Sequence, residues 1–279
     1  MSLSGEVVAV ARLDFGDVRR SRWLGFSAGV YALFTATFVF VGMRESGVVG
    51  FTGSGRVLLS LVHALILVLP LLALTATCQV VNKARDDGTL EVLFSHPLTR
   101  LGYLAGVTIT RYAVLFVPLA IIIVLVSALG GLLGGDPVAW TFSLRAIAVS
   151  AGLLCAGVGV GLAVSVGTRD QARAIVTSLI VWAAGVALLD FALIGVLLQW
   201  HLNPRVVFIL AALNPVQCAR LALLSGVQPE LASFGPVGFY LATHLGPRAL
   251  LALGIAWPTT IGVGAWLIAL RSFRSGDVV

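Results

Sequence analysis

Polar residues thin out along this chain in a way that soluble proteins do not allow. Six stretches of 20 or more residues carry almost no charge: 23–43, 57–81, 107–133, 146–166, 175–198 and 249–270. A helix rises 1.5 Å per residue, so about 20 apolar residues cross the hydrocarbon of a bilayer. The runs are too long and too continuous for barrel strands, which alternate over roughly ten residues. The pattern therefore predicts an all-α membrane protein with six transmembrane helices. Pro70, Pro118 and Pro258 fall inside three of them, where neighbouring helices can satisfy the carbonyls a proline frees.

The segments between these runs have patterns of their own. In residues 1–22, Val7, Ala11, Phe15 and Val18 recur at helical spacing among Glu6, Arg12, Asp14, Asp17, Arg19 and Arg20. This predicts an amphipathic helix lying in the membrane interface ahead of a transmembrane domain over 23–279; a solvated charged leader is the alternative. Residues 82–102 form a polar loop in which Gly88 breaks a helix, Leu90, Leu93 and Phe94 follow at i, i+3 and i+4, and Pro97 ends the turn. A loop that only connects two spans has little reason to expose three large apolar residues. A surface helix that seats them in another protein's groove does. Residues 199–248 are half apolar, and Asn203-Pro204 and Asn214-Pro215 each join a good cap to a proline suited to the first helical turn. Short external helices, re-entrant or lying on the outer leaflet, are expected there before the last span.

Composition agrees with a bilayer as solvent. Of the 279 residues 59% are apolar and 11% charged, with a mean hydropathy of +1.04. Soluble domains carry about 25% charged residues, which excludes a soluble enzyme. The formal charge of +6 records orientation, not nucleic-acid binding. With the N-terminus inside, the cytoplasmic side receives Arg12, Arg19, Arg20, Arg22, Lys83, Arg85, Arg100, Arg111, Arg169, Arg173, Arg271 and Arg274. The other side receives Arg44, Arg56, Arg145, Arg205, Arg220 and Arg248. This bias predicts a multi-pass plasma-membrane protein with both termini cytoplasmic, and lipid as a constant partner.

Candidate chemistry is sparse. The only lysine is Lys83, preceded by Asn82, so no P-loop is present and this polypeptide cannot hydrolyse ATP by that route. Cys78, Cys155 and Cys218 have no paired spacing, there are two methionines, and His63, His96, His201 and His244 lack spaced partners. No metal site and no catalytic set is expected. Ala151, Cys155, Gly159 and Ala163, with Gly157 and Gly161, put small residues on the fourth span at four-residue intervals, a signal of close helix packing. Thr35, Thr37, Thr259 and Thr260 are expected to bond backbone carbonyls. Asp190 lies about fifteen residues into the fifth span, where an aspartate is costly and must face protein or water. It either lines a translocation path or pairs with a cation such as Arg145.

The loop residues carry a resemblance. Gly88-Thr89-Leu90-Glu91, continued by Leu93, Phe94, Ser95, Pro97 and Arg100, looks like the coupling-helix motif of type-2 ATP-binding-cassette (ABC) permeases. That family combines an interfacial elbow helix, six spans, cytoplasmic termini and a helical external insertion before the last span. The resemblance implies that the loop seats in a separate cytoplasmic ABC ATPase subunit, which holds the ATP and Mg, and that the permease works as a homodimer. Within the family the likeness is strongest to the branch serving nitrous oxide reductase maturation. It is carried by Leu189-Asp190-Phe191, Gly50-Phe51-Thr52, and Asn214-Pro215 followed by Arg220-Leu221 and Leu224-Ser225-Gly226. It implies a periplasmic β-helical partner, met around Asn214, Pro215 and Arg220, and export of a sulfur-containing species for copper–sulfur cluster assembly. The competing expectations are another cargo (copper, lipid or drug), a proton-coupled carrier using Asp190, and a scaffold that moves no cargo.

Overall fold

Helices are the only regular structure among the residues described, as expected where each backbone N–H and C=O must be satisfied without water. The computed structural model describes residues 2–45, 54–134, 138–188, 213–227 and 246–275. In chain order the helices are α1 (Leu3–Arg20), α2 (Trp23–Glu45), α3 (Ser54–Thr77), α4 (Val80–Asp86), α5 (Thr89–Phe94), α6 (Arg100–Gly134), α7 (Val138–Gly167), α8 (Gln171–Trp182), α9 (Pro215–Val227) and α10 (Gly246–Ser275). A π-helical stretch, Ala183–Leu188, extends α8.

Among the described residues four segments are long and apolar enough to cross a membrane: Ser60–Asp86, Arg100–Leu129, Trp140–Gly167 and Gly246–Ser275. The first expected span forms the unbroken helix α2. The fifth begins in α8; beyond Leu188 it lies outside the described residues. The helices run through Pro70, Pro118 and Pro258. α6, with 35 residues, is about 52 Å long, more than a hydrocarbon core of about 30 Å requires.

α7 is the hub, packed most extensively on α10 and next on α3. The small residues of the fourth span account for this. A Cβ added at Gly159 would collide with the backbone of Gly262, and one at Gly262 with the Cys155 carbonyl. On the adjoining face Gly157 and Gly161 admit Ala73 and Thr77 of α3. Backbones this close maximise dispersion contacts, which replace the hydrophobic drive that lipid removes. The four threonines behave as expected: Thr35 donates to Tyr31 O at 2.8 Å, Thr37 to Leu33 O at 2.8 Å, Thr259 to Ile255 O at 2.7 Å and Thr260 to Trp257 O at 2.8 Å.

The bundle has one polar end. There the Ser165 hydroxyl accepts from Val81 N–H at 2.9 Å, the Asn82 amide and Thr168 hydroxyl are 2.9 Å apart, and Gln171 donates to Asp86 at 2.6 Å. α2, α6 and α8 start at this end; α3, α7 and α10 finish there. α9 packs at the far end, against α10 and the start of α7. Gly254 lets α10 approach Cys218 and Ala222 of α9.

Candidate functional site: the polar end and its short helix

α1 is stitched along α6. Gly102 and Gly106 leave room for it, since a Cβ at either would meet Glu6 or Val10 within 3 Å. Thr99 donates to the Glu6 carboxylate from its N–H at 3.0 Å and its hydroxyl at 2.6 Å. Both bonds stabilise the charged form and hold the Glu6 carboxyl below its ordinary value. Two turns on, Arg111 grips Asp14 through Nε at 3.0 Å and Nη2 at 2.7 Å, and its Nη1 donates to Ala76 O at 3.3 Å. The pair is nearly dry, with side chains 12% and 8% exposed. Burial pushes the Asp14 carboxyl up, against the pull of the guanidinium.

The buried residues of α1 are therefore Glu6, Val10, Asp14 and Val18. Of the expected apolar face, Phe15 is 46% exposed, Val7 and Ala11 are half-buried and Val18 is buried; Leu3, Val8 and Leu13 are also open. The polarity is inverted relative to a soluble amphipathic helix, carboxylates inward and large apolar side chains outward. Sequence reading missed Glu6 and Asp14 as contact residues. Their i, i+8 spacing, in phase with Val10 and Val18, was the available signal.

α4 and α5 form a hairpin at the same end. Gly88 closes α4, with its N–H on Arg85 O at 3.0 Å, and opens α5 at φ +66°, a left-handed conformation that favours glycine. Here the structure corrects the reading of the loop. Leu90 is 1% exposed, and Leu93 and Phe94 pack on the bundle's own core. Phe94 meets Tyr103 and Phe273 at ring distances of 6.0 and 6.1 Å. The nearest apolar surface for a six-residue helix is its own bundle, so these three side chains anchor α5 there. Arg100 also turns inward: its Nη1 donates to Phe273 O at 2.6 Å and Arg274 O at 2.7 Å, neutralising the carbonyl end of α10. Thr89 is half-buried. The outward face consists of Val92, 64% exposed, with Glu91, Ser95, His96 and Pro97.

At the far end Asn214 is fully buried and caps α9, accepting from Val216 N–H at 2.9 Å; Pro215 opens the helix. Arg220 is half-buried on α9. The guanidinium of Arg145 lies against Gly226, and its Nη1 has no hydrogen-bond partner among the described residues. Asp190, His201, His244, Leu189-Asp190-Phe191 and Gly50-Phe51-Thr52 lie outside the described residues. Among the described residues no three metal-ligating side chains cluster.

The comparisons give the class of this bundle of long apolar helices. The profile described as "ABC-2 family transporter protein" matches residues 8–268. The chain belongs to that family and is a membrane transport subunit, a permease of an ABC transporter. It is 31% identical over 264 residues to a protein of Pseudomonas aeruginosa named "Probable ABC transporter permease protein NosY", covering 88% of this chain and 95% of that one. A protein of the same name from Stutzerimonas stutzeri is 26% identical over 286 residues, covering 96% of this chain and 98% of the relative.

Proposed function

We propose that this chain is the membrane half of an ATP-driven exporter, working as two copies with separate cytoplasmic ATPase subunits and moving a sulfur-containing species outward for nitrous oxide reductase maturation. The observation that carries the reading is α5: a helix of six residues, started by a left-handed glycine, bonded to its own bundle by Leu90, Leu93 and Phe94 and offering Val92 and Glu91 outward. A helix that must transmit a push needs both properties, a stiff attachment behind and a contact face in front. Closure of the ATPase pair would press α5, and Arg100 and Phe94 would carry that displacement into α6 and α10.

The homodimer rests on the six apolar stretches of the sequence, read as six passes of the bacterial inner membrane: they are half the usual complement of such a pore, and closed two-fold pairing is the commonest assembly. Exposed apolar faces on α2 (Leu33, 66%) and α8 (Val176, 56%; Ile180, 62%) supply surface for it. ATP and Mg reside on the partner, with no cofactor in this chain. The sulfur cargo and a periplasmic partner, met around Asn214, Pro215 and Arg220, rest on the resemblance of this chain to the branch serving nitrous oxide reductase maturation. Asp190 is the candidate for the translocation path.

The test is ATP-dependent uptake of labelled sulfur into inside-out vesicles, with and without the ATPase subunit. Uptake should vanish when the ATPase is removed or when Val92→Asp breaks its docking. Uptake that persists without ATPase and collapses only on adding an uncoupler would refute the proposal in favour of a carrier.

A further inference from the structure

α6 and α10 touch each other far less than either touches α7, and a half-open groove of about 220 Å³ remains between them. Ile109 and Tyr112 stand on one side, Val263 and Trp266 on the other, with Gly159 of α7 between. The polar groups of the lining are already engaged. Trp266 Nε1 donates to the Thr108 hydroxyl at 2.8 Å, that hydroxyl to Leu104 O at 2.6 Å, and the Tyr112 hydroxyl to Ala151 O at 3.1 Å. What remains for a ligand is apolar surface, deepened where Gly159 and Gly262 carry no side chain.

Depth and charge select the occupant. Large apolar side chains stay exposed along α10 as far as Leu267, 46%, and Ile268, 65%; the exposed Arg271 and Arg274 follow at the polar end. At 1.5 Å per residue, Val263 and Trp266 lie about 16 and 12 Å below Arg274, in the half of a roughly 30 Å hydrocarbon core nearest that end. Eleven residues make about three turns, so Arg274 projects within about 20° of Val263, above the groove. Arg100 reaches over from α6, its Nη1 on the Arg274 carbonyl at 2.7 Å. Of the carboxylates on neighbouring elements, Glu6 is bound by Thr99 on the flank that α1 covers, and Glu91 is on the outward face of α5. Asp277 lies outside the described residues.

We infer that this groove is a binding site for an anionic phospholipid of the leaflet at the polar end, with an acyl chain in the groove and the phosphate on Arg274. A guanidinium at a helix end reaches a headgroup while its stem stays on apolar surface, and basic residues over clefts between spans favour anionic headgroups. The faces assigned to a second copy lie on α2 and α8, neither of which lines the groove.

In the experiment the purified protein is equilibrated in detergent with equal amounts of phosphatidylglycerol and phosphatidylcholine of the same acyl chains, and bound lipid is counted by native mass spectrometry. Wild type should hold phosphatidylglycerol over phosphatidylcholine by about fivefold or more. Arg274→Gln should lower that preference about fivefold, the contribution of one arginine near anionic headgroups, and Arg274→Lys should keep most of it. Val263→Trp fills the groove and should reduce both lipids, whereas Ile121→Trp, at an exposed position of α6 outside the groove, should not. Equal retention of the two lipids by wild type, a preference unchanged in Arg274→Gln, or a loss in Val263→Trp no greater than in Ile121→Trp each overturns the inference. A dimer that splits in Val263→Trp with lipid binding unchanged would make the groove a contact between copies and equally overturn it. Should Val263→Trp aggregate, Ile109→Trp fills the groove from the α6 side and is read the same way.

Discussion

Asp14→Ala tests whether the α1–α6 seam depends on its ion pair. In the folded protein Arg111 makes two bonds to Asp14 and one to Ala76 O, with 12% of its side chain exposed. Removing the carboxylate leaves a guanidinium that cannot deprotonate, holding a single carbonyl in a nearly dry site. Breaking such a pair costs about 3–5 kcal/mol. Arg111 borders an open groove between α1 and α4, so water can reach it, which argues for the lower end, about 3 kcal/mol. The cost falls on docking of α1, and Val10, 4% exposed, reports it. In a background with Cys78, Cys155 and Cys218 replaced, a cysteine at position 10 reacts with maleimide only when α1 lifts. At about 1.4 kcal/mol per tenfold, a 3 kcal/mol loss raises its labelling rate about 100-fold. The pair Asp14→Leu/Arg111→Met removes both charges and should return the rate to near wild type, since an apolar replacement of a buried pair is often neutral. Labelling within threefold of wild type in Asp14→Ala would refute the reasoning, as would a double variant as fast as the single one.

Two further predictions concern the same scaffold. Gly262→Val puts methyl groups against the Cys155 carbonyl, where backbone and not a flexible side chain must yield. A loss of about 1–3 kcal/mol or more is expected, read as a lower melting temperature in detergent; no change would deny the close α7–α10 approach. Glu6 has a depressed folded value, so its stabilisation is present above its ordinary pKa of 4.5 and fades as pH falls through the lower folded one. Labelling of the cysteine at position 10, divided by that of an exposed control cysteine at each pH because the thiolate is the reactive form, should therefore rise below about pH 4.5, and Glu6→Gln should flatten that limb. Asp14, raised by burial, acts in the opposite sense and is common to both proteins.

Much of the fold was legible because lipid leaves a chain few choices: an uncharged run of 20 residues must be a helix, and Gly159 with Cys155 at four-residue spacing must let a neighbour close in. Direction was less legible. Val7, Ala11 and Phe15 mark an apolar face for the membrane interface, but which residues dock α1 on its own bundle is decided by Thr99 and Arg111, so Glu6 and Asp14 turn inward. Leu90, Leu93 and Phe94 were rightly found on one face of a short helix. Spacing reveals that a face is greasy without revealing which body covers it, and Tyr103 and Phe273, distant in sequence, decided the matter. Arg100 shows the same limit: its partners, Phe273 O and Arg274 O, lie over 170 positions downstream.

The seam between α1 and α6 also sets an order of events during synthesis. Glu6 and Thr99 are 93 positions apart, Asp14 and Arg111 97. At about 5–20 residues per second, α1 waits roughly 5–20 s after translation for the residues that will hold it. Through that interval its greasy outer side chains can rest on the membrane surface while two aspartates and a glutamate face water, so the element made early is among those seated late.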